Sequence, residues 1–215
     1  DLACGHHPVP VCGHLPLAAV LVIGRDDLRT EGSDDRNQRR NGVLERQVGE
    51  AIRASGVPRG EIFLVTKVSH EYLRAADFAR SVDESLKNLQ VDYVDMLHVH
   101  WPTVDNIPLA ETMGALAKAK REGLTRHIGV ANFNIALLTE AMRLCPEPLV
   151  TLQAEYHPYL NQQKVLDFCR RNNIVFTAYC PLGRGRLFKD PVISGIARAK
   201  GKTIAQIALR WQIQQ

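Results

Sequence analysis

Residues 92–102 contain the side chains of this chain that could most plainly do chemistry. Apolar residues run through the segment on both faces, as expected of a parallel strand covered on both sides, and it ends in His98, His100 and Trp101 before a proline. An imidazole and an indole at the end of a buried strand are typical of a barrel strand that brings chemistry to the mouth. The alternative is structural: a histidine packed in the core beside an anchoring tryptophan.

Hydrogen-bonding side chains also occur at or just after the ends of the other apolar strands. Across five predicted strands these residues are Lys67, His100, Asn132, Gln153 and Tyr179. The carboxyl ends of parallel strands meet at one edge of a sheet, so these side chains converge on one mouth. Packing needs alone rarely place a polar residue at the end of every strand.

The elements that must position these residues alternate regularly. We predict strands over residues 62–67, 93–99, 126–130, 149–154 and 174–178, and helices over residues 44–55, 78–89, 109–121, 136–144, 162–172, 192–200 and 204–214. Thr203 is the expected N-cap of the last helix. The βα repeat indicates a parallel α/β sheet. No Gly-x-Gly-x-x-Gly follows an early strand, which favours a (β/α)₈ TIM barrel over a dinucleotide-binding sheet.

Composition excludes several classes of function. The net charge of +4 is spread along the chain, which does not argue for nucleic acid, and no apolar run approaches the roughly 18 residues needed to span a membrane. The five cysteines are odd in number and widely spaced, so a reduced, cytoplasmic protein is expected. The oligomeric state is left open.

Residues 1–43 differ from residues 44–215, and we treat them as a divergent segment. An apolar run over residues 15–23 predicts one strand, whereas the polar tract over residues 25–41 predicts loop or disorder. Cys4, His6, His7, Cys12 and His14 fit no zinc-binding spacing, so no metal site is predicted.

From residue 45 onward the chain resembles an aldo-keto reductase. The motifs that carry this resemblance keep the family's order, and they are FLVTKV (63–68), ESLKNL (84–89), LHVHWP (97–102), IGVANF (128–133), QAEYHPY (153–159), AYCPLG (178–183) and GKTIAQIALRW (201–211). The sequence is similar to small-molecule reductases of the diketogluconate-reductase and prostaglandin-F-synthase type.

The resemblance implies NADPH-dependent reduction of an aldehyde or ketone, with a small-molecule carbonyl compound as the partner. In that family a tyrosine protonates the carbonyl oxygen, a lysine lowers its pKa, an aspartate pairs with the lysine and a histidine orients the carbonyl. The residues that match family positions are, in order, the lysine Lys67, the histidine His100, the pocket residue Trp101, the carboxamide-binding pair Asn132 and Gln153, the stacking ring Tyr179, and the pyrophosphate-binding backbone of Leu182 and Gly183.

Several family positions are not matched. Ala131 and Cys180 stand where serines are common. Counting back without a gap from Glu45 puts Gly42 at the tyrosine position and Asn37 at the aspartate position, and no tyrosine precedes Tyr72, so the general-acid tyrosine and its aspartate partner are absent. The first, second and eighth barrel strands are missing or replaced. The loop that binds the 2′-phosphate and adenine is also absent, so weak NADPH binding is expected.

Three explanations are compatible with these gaps. The chain is a truncated or out-of-frame reading of an active gene, or a degenerate relative kept for binding, or another residue has taken over the acid role, with Tyr72 the nearest candidate after Lys67. The match begins abruptly near residue 45, which favours the first. The rival to an enzyme is therefore a catalytically inactive binding or interaction protein.

Overall fold

The computed structural model describes residues 20–22, 34–102 and 106–215, with side chains described from residue 42 onward. The strands are β1 Val20–Val22, β2 Phe63–Val68, β3 Val94–Val99, β4 Thr125–Ala131, β5 Leu149–Glu155 and β6 Val175–Tyr179. The helices are α1 Asp34–Ser55, α2 Ala75–Leu89, α3 Leu109–Arg121, α4 Ile135–Leu144, α5 Gln163–Arg171, α6 Pro191–Lys200 and α7 Ile204–Ile213. None of the described helices is both long and apolar enough to cross a membrane.

The strands form one six-stranded parallel sheet in the order β1 to β6, with each strand next to its sequence neighbour. Each crossover after β2 passes through at least one helix, as a parallel sheet requires. This architecture is an incomplete (β/α)₈ barrel, which confirms the predicted fold class. All five strands predicted after residue 60 are present, each within one residue of the expected bounds.

The beginning of the described chain corrects one prediction. The helix α1 begins at Asp34, so the part of the polar tract that lies beyond residue 33 is helical and not loop. Arginine and glutamine are good helix formers, and no proline interrupts residues 34–55, so a polar tract can extend an amphipathic helix without apolar anchors. The apolar run does contribute a strand, because Val20–Val22 pairs in parallel with β2 and takes the place next to it. The cysteine and histidine residues before residue 15 lie outside the described part of the chain.

The main core lies between the sheet and its helices. Alternate residues of the strands point outward into this layer and are almost fully buried, with Leu64, Val68, Leu97, Val99, Ile128, Val130 and Leu152 among them. Helices α2, α3 and α4 cover them with Phe78, Val82, Leu89, Met113, Leu116 and Leu138. The intervening strand residues therefore face the inside of the barrel.

Helix α1 is fixed to this core by a buried carboxylate. Glu45 is 2% exposed and accepts hydrogen bonds from the Thr66 hydroxyl of β2 at 3.2 Å and from the Asn88 amide of α2 at 3.2 Å. A buried carboxylate requires such donors, so these bonds fix where α1 lies on the sheet.

Helices α6 and α7 share a second, small apolar cluster with the 3₁₀ segment Gly183–Lys189. Leu187, Ile193 and Ala208 are its buried members. Among its contacts to the sheet side, Gln212 donates to the Tyr156 carbonyl, the Trp211 ring packs against the Tyr156 ring at 5.1 Å, and the Tyr159 hydroxyl donates to the Asp190 carboxylate. Thr203 caps α7 with a complete capping box, which confirms the predicted N-cap.

Candidate active site

A polar layer crosses the inside of the sheet just below the mouth. The strand register aligns Lys67 of β2 with His98 of β3, His98 with Gly129 of β4, and Gly129 with Thr151 of β5. Lys67 is 4% exposed and His98 is 3% exposed. The sheet geometry thus places the predicted lysine beside the imidazole of His98, which the sequence analysis noted without giving it a role.

The His98 ring lies across β4 and reaches β5. Its Nε2 atom is 3.1 Å from the Thr151 hydroxyl oxygen. A Cβ atom on Gly129 would come within 3.0 Å of His98 Cδ2 and 2.6 Å of the Thr151 carbonyl oxygen, so only glycine leaves room for the ring. The opposite ring nitrogen, Nδ1, is buried without a hydrogen-bond partner among the described residues.

His98 is held in its neutral form. Burial and the neighbouring Lys67 and His100 lower the His98 pKa from 6.5 to about 3. At neutral pH the imidazole therefore carries no charge and does not compete with Lys67 as a cation. It is also unsuited to be a general acid there, because its protonated form is scarcely populated.

Asn132 is the centre of the mouth. Its backbone N–H donates to the Gln153 carbonyl at 2.8 Å, its Nδ2 group donates to the His100 carbonyl at 2.9 Å, and its Oδ1 atom accepts from the Tyr179 hydroxyl at 2.8 Å. Its φ of 63° lies in the left-handed region, which asparagine tolerates better than most residues. One residue thus joins the ends of β3, β4, β5 and β6.

Gln153 lies beside Asn132 and faces the inside of the barrel. It is 6% exposed, and its side-chain amide makes no hydrogen bond to the residues that the structure describes. The amide therefore keeps both a donor and an acceptor for a ligand at the mouth.

His100 and Trp101 follow the end of β3. The His100 backbone N–H donates to the Val68 carbonyl at 2.9 Å, which fixes the strand end against β2. The two rings are tilted against each other with 6.2 Å between their centroids. Both predicted residues therefore lie at the same edge as Asn132.

Leu182 and Gly183 begin a tight turn after β6. Gly183 has a φ of 55°, and its N–H donates to the Cys180 carbonyl at 2.9 Å, so this amide is already bonded within the turn. The Gly185 N–H likewise donates to the Leu182 carbonyl at 3.1 Å. The assignment of the Leu182 and Gly183 backbone to pyrophosphate binding stays a prediction.

Tyr72 and Tyr179 are both described by the structure. Tyr72 ends the 3₁₀ turn His70–Tyr72 and packs against the core between the sheet and the helices, whereas Lys67 alternates to the inner face of β2. The Tyr179 hydroxyl donates its proton to Asn132.

Within the part of the chain that the structure describes, no group of three or more histidine, cysteine, aspartate or glutamate side chains could hold a metal ion. Thr151 was not predicted from the sequence, and His98, although noted at the end of its strand, was given no role at the site. The signal was the spacing of His98 and His100, because residues two apart on a strand face the same side.

The structure is thus an incomplete parallel barrel with a lysine, a histidine and two side-chain amides at or near the carboxyl ends of its strands. The model of the aldo/keto reductase family matches residues 40–215. The chain therefore belongs to the aldo/keto reductase family.

Among curated relatives, the chain is 42% identical over 169 residues to methylglyoxal reductase DkgB of Salmonella typhimurium, covering 78% of this chain and 63% of the relative. It is 48% identical, with a TM-score of 0.77, to the crystal structure of a proposed 2,5-diketo-D-gluconic acid reductase B, covering 80% of this chain and 60% of the other. An aldo/keto reductase from Klebsiella pneumoniae, crystallised with NADP and acetate, is 34% identical with a TM-score of 0.73, at 81% and 63% coverage. The chain thus spans less than two thirds of the length of these relatives.

Proposed function

We propose that this chain binds NADPH and reduces small aldehydes or ketones at the mouth of its incomplete barrel. The observation that carries the proposal is the cluster in which Asn132 bonds to the ends of the strands bearing His100, Gln153 and Tyr179, with Lys67 on the same inner face. The relation to a structure crystallised with NADP supports the choice of cofactor.

The donors and acceptors at the mouth fit a nicotinamide carboxamide. A primary carboxamide offers one carbonyl acceptor and an N–H₂ donor group. Asn132 keeps one N–H after its bond to His100, and Gln153 keeps its whole amide. Asn132 and Gln153 would hold the carboxamide, and the Tyr179 ring would stack on the nicotinamide. When bound, the reduced nicotinamide supplies a hydride.

Lys67 and His100 act on the carbonyl oxygen of the substrate. Hydride addition to the carbonyl carbon builds negative charge on this oxygen. A buried ammonium at Lys67 stabilises that charge more than an exposed one does, because the effective dielectric constant inside the barrel is low. The His100 imidazole orients the carbonyl by a hydrogen bond.

Protonation of the substrate carbonyl oxygen is the step that we expect to limit turnover in this chain. Tyr72 packs on the outer core, and the Tyr179 proton is bonded to Asn132. Among the described residues of the mouth, we assign the donation of the proton to His100, which lies just after the end of β3. A well-placed general acid contributes about 10²–10⁴-fold, so we expect turnover at least about a hundredfold below that of an intact relative.

The substrate is a small carbonyl compound. The relation to a protein named methylglyoxal reductase supports an aldehyde, and Trp101 beside His100 supplies an apolar wall. We expect weak cofactor binding with little preference for NADPH over NADH. The residues assigned here bind the nicotinamide end, and charge-assisted contacts to a phosphate are worth about 1.5–3 kcal/mol each.

The experiment is steady-state oxidation of NADPH by the 215-residue chain with methylglyoxal and with nitrobenzaldehyde. Lys67→Met should abolish the residual rate, whereas Lys87→Met, on the exposed face of α2, should leave it unchanged. Rates equal in wild type and Lys67→Met would contradict the assigned mechanism. An ordinary reductase rate that collapses in Tyr72→Phe would instead show that Tyr72 had become the acid.

A second candidate is cofactor binding without turnover. The bonding of the Tyr179 hydroxyl to Asn132 favours it, because this removes a nearby phenol from acid catalysis. If calorimetry shows that the chain binds NADPH, and NADPH is not oxidised in the presence of methylglyoxal or nitrobenzaldehyde, this second candidate is supported.

The free cysteines bear on the cellular compartment of the protein, which we propose to be the cytoplasm. Cys145, Cys169 and Cys180 are free thiols in the described part of the chain, which supports the reduced, cytoplasmic setting expected from the cysteine count.

A further inference from the structure

The orientation of the Asn132 amide is fixed by two different partners. The His100 carbonyl can only accept, so the amide edge that faces it must be the Nδ2 group. The opposite edge must then be Oδ1, which can only accept and therefore takes the Tyr179 proton at 2.8 Å. A flipped amide would place two carbonyl oxygens against each other at the His100 side.

With these two bonds made, one N–H of the Asn132 side-chain amide remains without a partner among the described residues. The Nδ2 group has two N–H bonds, and one is used by His100. The backbone N–H of Asn132 is bonded to Gln153, so the second Nδ2–H is the donor that Asn132 keeps for a ligand. Its direction depends on the amide not rotating.

Resting on the proposed function, we propose that the Tyr179 hydroxyl is a positioning group: it locks the Asn132 amide so that the remaining Nδ2–H donates to the carbonyl oxygen of the nicotinamide carboxamide. Tyr179 thus has two separable roles. Its ring offers a stacking surface, and its hydroxyl acts through Asn132 without touching the carboxamide.

The hydroxyl also explains why phenylalanine would not serve at this position. Without it, Oδ1 loses its donor, and the amide is held by the His100 carbonyl alone. The left-handed backbone at Asn132, with φ of 63°, already places this residue in a sparsely populated conformation. Losing one of three bonds at such a residue widens the range of amide orientations.

The first test is calorimetric binding of NADPH and of its thionicotinamide analogue, whose sulfur is a poor hydrogen-bond acceptor. We expect wild type to prefer NADPH about threefold to tenfold, the range of one hydrogen bond. Tyr179→Phe keeps the ring but should bind both compounds equally. Tyr93→Phe loses a hydroxyl bonded to Arg126 at the opposite edge of the sheet, and should keep the wild-type preference.

The second test needs no cofactor. The Asn132 side-chain amide signals in a ¹⁵N–¹H spectrum, identified by their loss in Asn132→Asp, should shift in Tyr179→Phe and stay in place in Tyr93→Phe. Signals that coincide in wild type and Tyr179→Phe would overturn the positioning role.

The two tests separate this inference from the proposed function. Wild type that binds neither compound contradicts the proposed function, and the amide spectrum then decides whether Tyr179 orients Asn132. Wild type that prefers NADPH while Tyr179→Phe shows the same preference overturns the inference alone.

Discussion

The two edges of the sheet carry polar clusters of opposite character. At the amino edge, Asp95 is 2% exposed and accepts from the Leu64 N–H at 2.9 Å, from Arg59 at 2.8 Å and from Arg126 at 3.2 Å. Both guanidinium groups also lie against the Tyr93 ring, at 4.3 and 4.5 Å from its centroid. At the carboxyl edge, Asn132 and Gln153 keep unused hydrogen-bonding groups.

The comparison indicates that the two edges of the sheet have different roles. At the amino edge, the Asp95 carboxylate of β3 bonds to the backbone of β2, to Arg126 of β4 and to Arg59 before β2, so it ties three strands together. The carboxyl edge fixes Asn132 with three bonds but keeps a donor for a ligand. In parallel barrels, stability and binding are separated between the two ends in this way.

The largest expected effect is at the amino edge. Asp95→Ala leaves two guanidinium groups without their shared carboxylate and the buried Leu64 N–H without its acceptor. We expect a loss of about 3–5 kcal/mol in the free energy of unfolding, measured by urea denaturation. Asp77→Ala, which removes an exposed pair with Arg80, should cost less than about 1 kcal/mol. Equal losses in the two variants would end the assignment of Asp95 as the structural tie.

The second-largest effect on stability is expected in the layer of His98, Gly129 and Thr151, between the two edges of the sheet. In Gly129→Ala the new methyl group would overlap the Thr151 carbonyl and the His98 ring, so we expect a loss of about 1–3 kcal/mol. Gly114→Ala, at a helical position with nothing within 4 Å, should instead stabilise the chain by about 0.5–1 kcal/mol. Thermal unfolding of the two variants shows whether each one loses or gains stability. A Gly129→Ala variant as stable as wild type would contradict the close approach of the His98 ring to Gly129.

His98 should make this layer sensitive to acid. Its pKa is about 3 in the folded chain against 6.5 as the ordinary value, so between these values the unfolded chain binds more protons than the folded one. The contribution of His98 is complete above pH 6.5 and is lost as the pH falls toward 3, by at most about 1.4 kcal/mol per pH unit.

Denaturation of wild type and His98→Leu between pH 7 and pH 4 measures this dependence. The slope of the free energy of unfolding against pH should be smaller in His98→Leu than in wild type. Parallel curves for wild type and His98→Leu would show that His98 is not held neutral.

The smallest effect on stability is expected at the mouth. Asn132→Gly loses two side-chain bonds but relieves the left-handed strain, so the free energy of unfolding should change by less than about 1 kcal/mol. NADPH affinity should nevertheless fall about threefold to tenfold, measured by calorimetry. A large loss of stability with unchanged affinity would reverse the comparison between the two edges.

The sequence predicted the strands well because alternation and apolar runs depend on local residues only. It failed at the beginning of α1, where the polar residues from Asp34 carry no apolar stripe and their helix propensity decided the outcome. The division of the chain at residue 43 remains a prediction, since much of what precedes it lies outside the described residues.

The residues of the mouth were predictable because parallel strands end at one edge. The position of His98 was not, because a buried imidazole is also compatible with an ordinary core. Its meaning depends on Gly129 and Thr151 lying in register across two further strands, and registers between distant strands cannot be read along a single segment.

The separate cluster of Leu187, Ile193 and Ala208 has a consequence for hydrogen exchange. Helices α6 and α7 and the turn that begins at Gly183 share this cluster, while the sheet is packed by the larger core. A unit with so few buried apolar residues opens at a lower free energy than the sheet does. The amide protons of α6 and α7 should therefore exchange with solvent together and before those of β3 and β4, so that one rim of the mouth can open while the bonds around Asn132 stay closed.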